Sequence, residues 1–169
     1  MLDRLVGNNR GQLMIEAMVA MGIISVGLLG VFSVLSNSLG ISKVTSNQYV
    51  GTYLAAEGIE VVKNIIDTNV GQHAWNQYLD SNGDYAVEYD SVTLDSVDQN
   101  KPLLFDPSTG LYSYKTGNPT VFTREITINN ILNDNELQVN SIVSWSDQGG
   151  IKDSVNLEDD FYNFRTPPQ

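Results

Sequence analysis

The side chains that most often carry chemistry are scarce in this chain. It has no cysteine, which removes disulfides, thiolate metal ligands and cysteine nucleophiles in one step. It has one histidine, His73, so a His-Asp relay or a histidine-rich metal site would rest on a single residue. Carboxylates are plentiful: 20 Asp and Glu stand against 9 Lys and Arg, for a formal net charge of −11. Asp80, Ser81, Asn82, Gly83 and Asp84 could offer oxygens to calcium, but their order is not that of an EF-hand loop, and a solvated turn is the simpler reading. Glu158, Asp159 and Asp160 read as a charged surface run for the same reason. Tyr85, Tyr89, Tyr112, Tyr114 and Trp75 have the composition of an adhesive patch. Alternating aromatics in strands more often pack across the sheet, and packing is the reading adopted. Lys101, Lys115, Arg124 and Lys152 are dispersed, and the acidic balance argues against a nucleic-acid partner, whose phosphates need clustered cations. No constellation supports catalysis. The chain reads as a non-enzyme without cofactor or metal.

One carboxylate is out of place. Glu16 heads residues 17–35, AMVAMGIISVGLLGVFSVL, none of which is charged. As a helix rising about 1.5 Å per residue this stretch would span roughly 28 Å, close to the ~30 Å of a bilayer's hydrocarbon. Arg4 and Arg10 precede it, and a Ser/Asn-rich segment with Lys43 follows. The positive-inside bias therefore places the N-terminus in the cytoplasm and residues beyond 38 outside. A cleaved secretory signal would have a shorter apolar run and a small-x-small site, and nothing after Leu35 provides one. A plain single-span anchor fits the length but leaves Glu16 unexplained, since a carboxylate at the edge of such a span carries an insertion cost, up to about 2.5–3.5 kcal/mol, and asks for a partner.

The stretch Arg10-Gly11-Gln12-Leu13-Met14-Ile15-Glu16-Ala17 resembles the type IV prepilin motif: a short basic leader ending in Gly, then a mature chain whose fifth residue is Glu at the head of an apolar helix. The resemblance implies cleavage by prepilin peptidase between Gly11 and Gln12, with Gln12 supplying the new, usually N-methylated, amino terminus. Gln12 stands where most members have Phe or Met. It further implies that Glu16 faces the amino terminus of a neighbouring subunit, an ion pair that low dielectric strengthens. Further along, Ala55, Ala56, Glu57, Gly58, Ile59, Glu60 and Lys63 resemble a segment of a minor-pilin group. Phe122-Thr123-Arg124-Glu125-Ile126-Thr127-Ile128 and Ile142-Val143-Ser144-Trp145 are similar to that group's strands.

The elements that must position these residues follow from periodicity. Val50, Leu54, Val61 and Ile65, with Ala55, Ile59, Val62 and Ile66, keep helical spacing and form an apolar stripe. Glu57, Glu60, Lys63, Asn64 and Asp67 are expected on the opposite face, with Glu60 and Lys63 paired across one turn. No proline interrupts residues 12–68, so one helix is expected from Gln12 to a stop near Asn69-Val70-Gly71, with Gly40 and Gly51 as candidate hinges. Beyond Gly71 the residues alternate with period two. Strands are expected over 85–94, entered by a turn at Asn82-Gly83, over 120–128, 137–145 and 154–157, and in a hairpin joining 103–105 to 111–114 through Pro107. Asn133-Asp134-Asn135 reads as a turn, and Thr166-Pro167-Pro168-Gln169 as a frayed tail.

The expected fold is therefore α+β: a long N-terminal helix, half membrane and half amphipathic, packed on a small antiparallel sheet of four or five strands. The domain reading is a leader over 1–11, a transmembrane and assembly segment over 12–38, an amphipathic segment over 39–70 and a β-rich domain over 71–169. The resemblance implies a minor pilin or pseudopilin of a type IV pilus or a type II secretion fibre. Its partners would be other pilin subunits, prepilin peptidase, the cytoplasmic membrane and an inner-membrane assembly platform, and it would end in an extracellular filament. The alternative reading is a membrane-tethered surface binding module that does not polymerise.

Overall fold

In a computed structural model, residues 10–70, 74–79, 81–96, 101–131, 135–146 and 150–164 are described. Residues 1–9 of the leader, Gly71, His73, Asp80, Asn133, Asp134 and the tail 166–169 lie outside them. One α-helix, α1, runs Arg10–Val70 and is unbroken at Gly40 and Gly51, so neither expected hinge is a break in the helix. By contact the chain divides into two units, Met1–Thr45 and Ser46–Gln169.

In the first unit α1 has no tertiary partner among the described residues. Every residue described from Gly11 to Thr45 is exposed, Met18, Val26 and Val34 by more than two thirds of their surface. A helix apolar all round and wet all round is unstable in water and at home in lipid. Its length and composition suit a membrane span.

The second unit holds the rest of α1 and eight strands: β1 Gly83–Ala86, β2 Asp95–Ser96, β3 Leu104–Asp106, β4 Leu111–Ser113, β5 Asn118–Pro119, β6 Thr123–Ile131, β7 Glu136–Ser146 and β8 Lys152–Tyr162. Five form an antiparallel sheet in the order β2-β1-β6-β7-β8 and three a smaller sheet in the order β4-β3-β5. The expected hairpin is the β3–β4 pair. Gly110 accepts a positive φ of 74° there, its N–H donating to Asp106 O at 2.8 Å. The Asp106 carboxylate takes the Ser108 N–H and hydroxyl and is thereby held below its ordinary pKa.

Three expectations are corrected. The strand expected over 85–94 covers only 83–86, because the chain leaves the sheet at Val87 and Glu88 to bury Glu88. The strand expected over 154–157 is far longer, and the described residues form eight strands in two sheets, five of them in the large one, rather than four or five in one. Polar residues on the sheet's outer face broke the apolar alternation that sets strand length in a sequence.

The core lies between α1 and the large sheet. One cluster holds Ile59, Val61, Val62, Ile65 and Ile66 of α1 against Leu79, Val87, Ile126, Ile128, Leu137 and Val139. A second holds Leu54 and Ala55 against Leu103, Phe122, Val143 and Trp145. The helical stripe expected from spacing thus faces the sheet, each buried Ile, Leu or Val contributing about 1.5–3 kcal/mol.

Candidate assembly site and the helix–sheet joint

The residues singled out at the N-terminus sit on a regular helix. Gln12 and Glu16 are one turn apart, hence on one side of α1, and Glu16 is exposed with apolar neighbours Ile15, Met18 and Val19. Ser25 turns its hydroxyl back onto Met21 O at 2.8 Å, so it places no unsatisfied polar group on the apolar surface. A Cβ added at Gly22, Gly27 or Gly30 would meet nothing within 4 Å, leaving flat sites where another helix could come close.

In the second unit, α1 and the sheet are locked by a polar joint that the sequence reading did not assemble. Arg124, read as one of several scattered cations, points into the helix–sheet interface and is 3% exposed. Its Nη1 donates to Leu54 O at 3.0 Å and to Glu57 Oε1 at 3.1 Å, and its Nη2 donates to Val87 O at 2.7 Å. Glu57 is accordingly half-buried in an ion pair rather than on the solvated face expected for it. The signal was present: Arg124 alternates in step with Phe122, Ile126 and Ile128, the inward side of β6. Glu60 and Lys63 do pair on the solvated face, at 3.6 Å.

A second carboxylate, this one buried, sits close by. Glu88 accepts from the Tyr114 N–H at 3.0 Å and from Lys115 Nζ at 2.7 Å. That contact raises the Lys115 pKa, with Asp90 adding to it. Tyr114 donates its hydroxyl to Arg124 O at 2.9 Å, and burial raises its pKa. The joint thus ties α1, β6, the β1–β2 turn and the small sheet together.

Close approach makes the joint possible. A Cβ on Gly51 would fall 2.5 Å from Trp145 Cζ3, and one on Gly58 would strike Ser141 Oγ and lie 2.8 Å from Ile126 Cδ1. Among the aromatics, Tyr112, Tyr114 and Trp75 pack against the clusters, while Tyr89 stays half-exposed. In the candidate calcium loop, Asn82 Oδ1 accepts from Asn130 N–H and Asp84 Oδ1 from the Thr127 hydroxyl, which ties both to β6. Among the described residues no three His, Asp or Glu gather as metal ligands. Glu158, Asp159 and Asp160 are exposed along β8.

The fold defines an α+β protein whose N-terminal helix is a candidate membrane anchor and whose β-rich part is closed by a buried ion pair. Set against family models, curated proteins and solved structures, the chain matches none.

Proposed function

We propose that this chain is a structural subunit, a minor pilin or pseudopilin, of a type IV pilus or related filament. In this reading residues 1–11 are a leader removed by prepilin peptidase, Gln12 becomes the amino terminus, and residues 12–38 insert in the cytoplasmic membrane and later pack in the filament. Residues 39–70 carry the β-rich domain of 71–169, and other pilin subunits and an assembly platform are the partners. The observation that carries the reading is Glu16, an ionisable group on an apolar, fully exposed helix that continues into the core of an antiparallel β-domain. A bare anchor has no use for a carboxylate at that depth, whereas a neighbour's amino terminus satisfies it.

The test has two parts. In cells that hold a prepilin peptidase, the intact mass should correspond to a chain beginning at Gln12, with or without one methyl group. A chain still beginning at Met1 overturns the processing. Glu16→Ala should still be cleaved but should enter filaments at least about tenfold less well, since an unsatisfied amino terminus remains in the apolar interior. Undiminished incorporation would rule out the ion pair.

A further inference from the structure

The five-stranded sheet ends in two unlike edges. On one side β2 is two residues long, too short to template another strand. On the other, β8 runs eleven residues in unbroken register with β7, from Glu136 opposite Tyr162 to Ser146 opposite Lys152. It has no proline and no bulge, and among the described residues no strand pairs with its outer side. Folded proteins ordinarily blunt such an edge by shortening, kinking, covering or charging it, and of these β8 shows only charge, which repels other acidic strands but not a basic one. Two backbone groups near the end of β8 are engaged within the chain, the Asp160 N–H donating to Asp159 Oδ1 at 3.0 Å and Tyr162 O accepting from the Phe164 N–H at 2.9 Å, so the ladder left open on the outer edge lies chiefly over residues 152–158.

The side chains state what the ladder suits. β8 carries Asp153, Glu158, Asp159 and Asp160 against one cation, Lys152. Alternation puts Glu158 and Asp160 on the face away from α1 and Asp159 on the face toward it, so an added strand would meet carboxylates on both sides. Val155 and Leu157, half-buried against the core clusters, offer an apolar step between the charged ends. We propose that the outer edge of β8 binds an extended, basic strand of another protein by strand addition. Backbone hydrogen bonds would give affinity, and Lys or Arg opposite residues 158–160 would give specificity. A second copy of this chain suits the edge less well: paired parallel, its β8 sets the same carboxylates opposite one another, and paired antiparallel about Leu157 it brings Asn156, Val155 and Ser154, none of them a cation, opposite residues 158–160.

The test uses the full chain in detergent micelles and a short blocked peptide that alternates lysine with threonine and valine. Amide hydrogen exchange along 152–162 should slow by about tenfold or more when the peptide is added. The same peptide N-methylated at alternate residues keeps its charge but cannot extend a ladder, and it should protect nothing. Glu158→Lys combined with Asp160→Lys, two exposed positions, should abolish the protection while leaving exchange in β6 and β7 unchanged. The proposal is overturned if the β8 amides are unaffected, if the N-methylated peptide protects them equally, or if they become protected without peptide as protein concentration rises. That last result would assign the edge to a second copy.

Discussion

Arg124 has lost its water and holds its charge through one carboxylate and two backbone carbonyls, all on other elements. The two sides of that pair are not equivalent, because Glu57 keeps about a third of its side chain in solvent (33%) and Arg124 none (0%). Glu57→Ala strands a buried guanidinium and should cost about 3 kcal/mol. Arg124→Met removes the charge, fills similar space and lets Glu57 turn to water, leaving mainly Val87 O short of a donor, for about 1 kcal/mol. Urea midpoints of the two variants decide the matter: if Arg124→Met proves the worse, the buried cation is not what Glu57 serves. The double variant should be close to Arg124→Met alone, because Glu57 has nothing left to neutralise.

At the scale of elements, α1 touches the sheet through Gly51, Ala55 and Gly58, and glycine there is a matter of space. Gly→Ala in a solvated helix ordinarily stabilises by about 0.5–1 kcal/mol. At Gly51 and Gly58 the sign should reverse, each alanine destabilising by about 1–3 kcal/mol as Trp145, or Ser141 and Ile126, are displaced. Gly40→Ala, with nothing within 4 Å and outside the Ser46–Gln169 unit, should leave that unit's melt unchanged. Thermal melts followed by near-ultraviolet dichroism separate the cases, and a stabilising Gly58→Ala would refute the close approach. How far such features were legible depended on their periodicity. The apolar stripe 50–66 and the inward side of β6 could be read because each residue repeats a regular step. Arg124 was in phase with that side, yet charge alone placed it on the surface. The small sheet was only partly legible, since two-residue strands such as β5 leave no pattern. Glu88 was invisible: its burial depends on Lys115 and Tyr114, which lie far along the chain and meet it only in the fold. Gln12 and Glu16 were legible as a motif, because a charge beside an uncharged span stands out in a sequence.

For the whole molecule, both core clusters and the polar joint lie within Ser46–Gln169. A chain of residues 46–169 should therefore fold, remain monomeric without detergent and melt cooperatively, whereas the full chain should need detergent or lipid for its exposed apolar helix. Size exclusion with and without detergent checks both halves of this expectation. Aggregation of the 46–169 chain would mean that the apolar helix contributes to the stability of the β-rich part. The division also bears on the acidic balance. With the β-rich part strongly negative and the apolar helix nearly uncharged, solubility and insertion belong to different stretches of one chain.

The two tryptophans give the molecule its own optical readout. Trp145 is buried in one core cluster, against Phe122 at a ring separation of 5.7 Å, and Trp75 lies half-buried beside the other. They mark opposite ends of the surface on which α1 rests, one near Gly51 and the other near Ile66. With Trp75→Phe or Trp145→Phe, the remaining emitter reports whether that end of the helix is seated, so fraying from either end becomes distinguishable by colour alone.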